Sequence, residues 1–141
     1  MAFSEDLVTF LKAQSSITDL VGSGAAARIR PAKLKQREAV PAIRYVIPSA
    51  ESAEGLSGPV GVCSPNLQID CYGRTKKLAN ELGEAVRLSL QGFRGMMGST
   101  FVNSITLPNQ MELYEEPIDS SDEGVHRKML QFLVFHSEAT A

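Results

Sequence analysis

Residues 67–90, LQIDCYGRTKKLANELGEAVRLSL, change their period halfway along. In the first part Leu67, Ile69 and Cys71 share one face of an extended chain, and Asn66, Gln68 and Asp70 share the other. This is the two-residue repeat of a half-buried strand. Past Gly73 the repeat lengthens. Leu78, Leu82, Val86, Ser89, Leu90 and Phe93 recur at three- and four-residue spacing, while Lys76, Lys77, Glu81, Glu84 and Arg87 fall mainly on the opposite side. Lys77 and Glu81 can pair at i,i+4. The spacing predicts a strand over roughly 62–72 and a helix over about 75–91. A one-faced strand followed directly by a one-striped helix has to pack the second on the first, so a sheet covered by this helix is the expected core.

The flanking segments supply the other elements. Ser4 before EDLVTFLKAQ is placed as an N-cap, with Glu5 and Asp6 in a first turn where the helix dipole favours anions. Leu7, Phe10 and Leu11 form that helix's apolar face. Ser16 before ITDLVG marks a second helical turn, stopped at Gly22. Pro31 and Pro41 then interrupt any long element, leaving a short strand after Arg28, an exposed connection, and a strand from about 42 to 47. SAESAEGLSGPVGV reads as a long glycine-rich loop near 49–61, and QGFRGMMGS after the helix reads as a turn. TFVNSITL and QMELYEE read as two strands broken at Pro108–Asn109. GVHRKMLQFLVFHS reads as a long last strand, and its MLQFLVF is apolar on nearly both faces, as in the middle of a covered sheet. The fold class is therefore α+β: a mostly antiparallel sheet with the helix at about 75–91 packed on a face and a short N-terminal helix, in a single domain over 1–141.

Chemistry is thinly supplied. A phosphate cradle at the strand–helix junction needs several glycines, and YGRTKK has one, so it fits neither a Walker A nor a dinucleotide motif. Cys63 and Cys71 lack CxxC spacing and a neighbouring His, and read as two small buried hydrophobes. His126 and His136 lie at opposite ends of the last strand, about 33 Å apart along straight β geometry, and read as its solvated ends. Asp70 is a poor β-former, best explained by solvent exposure or by pairing with a base on a neighbouring strand, Arg44 or Arg127. No catalytic, cofactor-binding or metal residue is assigned. Net charge is −2, which gives no overall basic field for a polyanion. No apolar run reaches the roughly 18 residues of a bilayer span. The start, MAFSEDLVTF, lacks the pattern of a signal peptide, and cytoplasmic synthesis and assembly are expected.

One feature stands above this background. The chain is nearly neutral but polarised: Arg28, Arg30, Lys33, Lys35, Arg37 and Arg44 face a single acid, Glu38, in one segment. From 112 to 123 there are six acids (Glu112, Glu115, Glu116, Asp119, Asp122 and Glu123) and no Lys or Arg. Opposite charges of this kind either solvate two unrelated loops or meet, within the fold or head to tail between copies. The candidate inter-subunit contact is thus Arg28, Arg30, Lys33, Lys35 and Arg37 against these acids.

The layout resembles the tail completion or tail terminator proteins of long-tailed bacteriophages and prophages. It rests on the N-terminal helix with ITDLVG, RIRPAKLKQREAVPAIRYVI, the block LQIDCYGRTKKLANELGEAVRLSLQGFRG, and the closing HRKMLQFLVFHS. Such proteins run an alternating strand ending in an aromatic into an Ala/Leu-rich helix. The resemblance implies a virion structural protein of the tail and neck without a cofactor: a homo-oligomeric ring, commonly a hexamer, that halts tail-tube polymerisation and joins tail to head. Implied partners are its own copies, the tail tube protein and the head connector or head-completion protein, with genomic double-stranded DNA passing through the lumen unread and no membrane. The chain departs from the family's short hairpin at SAESAEGLSGPVGV. A head-closure adaptor is the nearest alternative. A single-stranded nucleic-acid-binding domain using Tyr45 and Tyr72 is another, though aromatics are only 6%, too few for a stacking platform.

Overall fold

The computed structural model describes residues 3–34, 39–55, 58–115 and 124–137, and within 48–63 and at 115 the backbone alone. The elements are helix α1 (Phe3–Lys12), helix α2 (Ser15–Val21), a 3-10 turn (Gly24–Ala26), strands β1 (Ile29–Pro31), β2 (Ala42–Gly55) and β3 (Gly58–Gly73), helix α3 (Lys76–Leu90), and strands β4 (Gly95–Met97), β5 (Thr100–Glu115) and β6 (Val125–Ser137). The fold is α+β. Six strands form one sheet in the order β1-β2-β3-β6-β5-β4, antiparallel except for the β1–β2 pair.

The strand–helix junction folds as its period demands. Leu67, Ile69 and Cys71 are buried on the face that α3 covers, and Leu82, Val86 and Leu90 come down onto the same core. Burying each of these leucines and valines stabilises the fold by about 1.5–3 kcal/mol. Thr75 caps the helix, its hydroxyl accepting from the Leu78 N–H at 3.1 Å. Gly73 permits the close approach: a Cβ there would lie 2.6 Å from the Ala79 backbone nitrogen. On β6, Leu130, Phe132 and Val134 complete the core beneath α3.

The N-terminal helices lie on the same side. Leu7, Leu11, Ile17 and Val21 are fully buried, and Gly22 at φ +90° ends α2, its N–H bonded to the Thr18 carbonyl. The buried carboxylate of Asp6 ties α1 to the β4–β5 turn by accepting from Ser99 Oγ at 3.0 Å and Thr100 Oγ1 at 2.5 Å. These bonds, Thr100's foremost, hold the Asp6 carboxyl below its ordinary value.

Several expectations need correction. The 49–61 stretch is not an open loop: β2 runs to Gly55 and β3 starts at Gly58, forming one long ribbon. The turn QGFRGMMGS contains a three-residue strand, β4. TFVNSITL and QMELYE are one strand, in which Pro108 falls at a register shift between Thr106 and Asn109. Pro48 sits at the matching shift in β2, and prolines are tolerated at such bulges because no ladder hydrogen bond is lost. Ser4 and Ser16 lie inside their helices rather than capping them, and Gln14 precedes α2. His136 is buried and stacked on Phe3, ring centroids 4.9 Å apart.

Candidate functional site

Asp70 lies on the sheet face away from the helices and is fully buried. Arg44 on β2 is its cross-strand partner and donates to Oδ2 from Nε at 2.8 Å and Nη2 at 2.5 Å. Gln68 donates to the same oxygen at 3.1 Å, and Arg127 Nε on β6 stands 3.9 Å from Oδ1. Both bases anticipated for Asp70 are therefore present, one on either side. Beneath, Cys71 faces the core, and burial followed by the Asp70 charge drives its thiol well above the ordinary range. A neutral, enclosed thiol is a packing group.

The basic segment divides in the structure. Arg28 turns inward, donating to the Pro41 carbonyl at 2.8 Å and the Leu20 carbonyl at 3.1 Å, and so braces the connection between α2 and β2. Arg30 lies on β1 beside Arg44, and Lys33 is exposed. Lys35 and Arg37 lie outside the described residues. Of the acids, Glu112 pairs with Lys76 at 3.3 Å and Lys128 at 3.7 Å, and its carboxyl is held low chiefly by the Lys76 bond. Glu115 closes β5, while Glu116, Asp119, Asp122 and Glu123 lie outside the described residues.

Register relates the two segments. Arg30, Arg44, Asp70, Met129 and Met111 stand in one row across five strands. Glu112 adjoins Met111 of that row, on the opposite sheet face and four strand spacings from Arg30, about 19 Å, too far to pair within one chain. Among the described residues, Arg30 lies on the edge strand β1 and Glu112 on β5, next to the other edge strand. Both edges are open over part of their length. Among the described residues, β1 covers β2 only from Ile43 to Tyr45, and β4 covers β5 only from Thr100 to Val102.

A shallow cleft of about 200 Å³ lies between the start of α3 and the β5–β6 pair, lined by Lys76, Asn80, Glu112, Tyr114, His126 and Arg127. Its Tyr114 and His126 rings are 4.9 Å apart. The ion pairs of Glu112 engage its charges, and no Ser, Thr or Cys is among the residues lining the cleft beside His126. Among the described residues no group of three His, Cys, Asp or Glu side chains could hold a metal ion, and no helix is long and apolar enough to cross a membrane. Sequence reasoning missed the Asp6 clasp and the Lys76–Glu112–Lys128 cluster. Each joins residues distant in the chain, and no local pattern signals such contacts.

No protein-family model and no curated protein sequence matches the chain. Among solved structures it is similar to a chain of the virion of native gene transfer agent (GTA) particle. The TM-score is 0.73 at 14% identity, over 96% of this chain and 95% of that one. At that identity the likeness is one of fold.

Proposed function

We propose that the chain is a structural virion protein that acts by self-association: a tail-terminator subunit forming a ring at the head-proximal end of a phage-like tail. The observation that carries this reading is the polarity of charge along the chain. Arg30 on β1 and Glu112 on β5 stand four strand spacings apart, about 19 Å. The sequence after Arg30 is rich in bases and that after Glu112 in acids, and on this reading those further charges meet between chains. Contacts between two different edges are head to tail, and they close into a ring when the rotation between copies divides the circle. β5 runs opposite to β1, so placing copies edge to edge continues the antiparallel alternation.

The fold shared with a chain of the virion of a gene transfer agent particle supports a place in a virion. On the tail-terminator reading the partners are further copies, six for the usual ring, with the tail tube protein on one side and the head connector or head-completion protein on the other. Genomic double-stranded DNA passes through without sequence readout. Each contact is modest, and ring closure multiplies them through effective concentration. The chain binds and does not turn over a substrate. A head-closure adaptor would use the same edges with different neighbours.

Native mass measurement tests this. Species at several multiples of 15.3 kDa are expected, alone or with tail tube. Reversing Lys33, Lys35 and Arg37 to Glu should disperse them, and adding Glu115→Lys, Glu116→Lys and Asp119→Lys should partly restore them. A strict monomer at high concentration, with and without tube protein, refutes the ring; a double reversal that rescues nothing refutes the charge pairing.

A further inference from the structure

The outer edge of β5 changes character at Ile105. As far as that residue the edge is occupied: β4 pairs with Thr100–Val102, and the Gly92 N–H donates to the Ile105 carbonyl at 2.9 Å. From Thr106 to Glu115, β6 is the strand's one partner strand among the described residues. Asn109, Gln110, Met111 and Glu112 are exposed in succession. Successive residues of a strand point to opposite faces, so here both faces and the outer edge meet solvent. Met111 and Tyr114, 45% and 52% exposed, lie in this stretch. A long open edge with exposed apolar side chains is a template for another strand.

The opposite margin of the sheet offers a strand of the same length. β1 covers β2 from Ile43 to Tyr45, and from Val46 to Gly55 β3 is its one partner strand among the described residues. Each open length is ten residues, about 33 Å. β2 and β5 run in opposite directions, since the three pairings that link them are all antiparallel. β1 stands before the start of the open length of β2, and β4 before the start of that of β5. Laid side by side, two copies therefore bring their open lengths together, with β1 of one beyond Glu115 of the other and β4 beyond Gly55.

We propose that Thr106–Glu115 of one copy pairs, strand to strand, with Val46–Gly55 of a second copy. The inference rests on the head-to-tail reading above and deepens it by naming the strands that meet. A register that keeps the faces of the two sheets in line and leaves β1 clear of Glu115 sets Ser49 against Leu113 and Glu51 against Met111. Pro48 and Pro108, which offer no N–H, then fall toward opposite ends. Between them Ser49–Ser52 meets Gln110–Leu113, where neither strand has a register shift. Within one chain Ser49 stands level with Asn66 and Leu113 with Tyr72, six residues apart on β3. Each copy is thus displaced by about 20 Å along the strands for the roughly 19 Å that β2, β3, β6 and β5 span. Copies so displaced return to one level when the strands tilt by about 45° to the ring axis, the upper end of the tilt in closed sheets.

Disulfide trapping and hydrogen exchange test it in the full chain with Cys63→Ser. Mixing a Glu51→Cys chain with a Met111→Cys chain should give a dimer band under oxidation that neither gives alone. Glu51→Cys mixed with Tyr114→Cys, out of register and on the other face, should not, and equal trapping by that pair overturns the proposal. Amides of Gln110–Leu113 that point away from β6 should exchange about tenfold more slowly where the multimer forms than at high dilution. Multimers that persist by native mass with no trapped dimer overturn the strand pairing while leaving the ring standing. A parent that is monomeric at every concentration, with and without tube protein, overturns both. Protection of these amides that appears only on adding tail tube protein also overturns the pairing, by assigning the edge to the tube.

Discussion

The Arg44–Asp70–Arg127 group allows a quantitative test of how the open face of the sheet is held. Asp70 is fully buried, whereas the Arg44 and Arg127 side chains are 24% and 22% exposed. Removing one arginine therefore harms more than removing the acid. Arg44→Met takes away two bonds and leaves the carboxylate with Gln68 at 3.1 Å and the more distant Arg127. The expected loss is about 3 kcal/mol, at the lower end for breaking a buried pair, because Arg127 still compensates part of the charge. Asp70→Asn leaves guanidinium groups that can turn toward water, and about 2 kcal/mol is expected. The double variant strands neither charge and should lose about 2.5 kcal/mol, not the sum, a coupling of about 2.5 kcal/mol. At roughly 3–4 °C per kcal/mol for a chain of this size, Arg44→Met should melt about 10 °C lower. Urea melts of the four proteins, followed by circular dichroism and fluorescence together to check two-state behaviour, measure the cycle. A coupling below about 0.5 kcal/mol would show that the group is not a unit and that the reasoning is wrong.

Two further outcomes follow from the fold. Gly73→Ala pushes a methyl against the Ala79 backbone nitrogen at 2.6 Å and should cost about 2–3 kcal/mol in urea melts; a neutral effect would show that α3 can ride away from β3 at no cost. Asp6 has its carboxyl pKa depressed in the folded state, so its contribution is complete above the ordinary value of 3.8 and lost as pH falls below it. Asp6→Asn should therefore lower stability at neutral pH yet flatten the acid limb of a stability–pH profile, and an unchanged acid limb would refute the clasp.

How much of this the sequence announces depends on whether a feature is local. The 67–90 block is, since its apolar spacing switches from two to near 3.6, and α3 and the buried face of β3 follow from it. Asp70 could be paired in advance with Arg44 or Arg127 because a lone acid on a strand with one buried face has few ways to be satisfied. The ribbon could not be read, because Ser, Ala and Gly carry little strand propensity and its pairing depends on the partner strand. Likewise β4 hides in GMM, which opens on Gly95 at φ +129° and is followed by Gly98 at φ +61°, where the glycines signal a turn more strongly than three residues signal a strand. The polarity of charge is plain in the chain, but only the register shows Arg30 and Glu112 to be four strands apart.

The position of β6 has a kinetic consequence. The last strand in the sequence lies inside the sheet, between β3 and β5, and its Leu130, Phe132 and Val134 complete the core. The first helix, in turn, is tied to a turn 93 residues later. Neither half of the chain closes the core alone, so α1 meets its Asp6 partners Ser99 and Thr100 only after they have been made. Pairings between such distant segments slow folding. A chain built this way reaches its folded shape late and all at once.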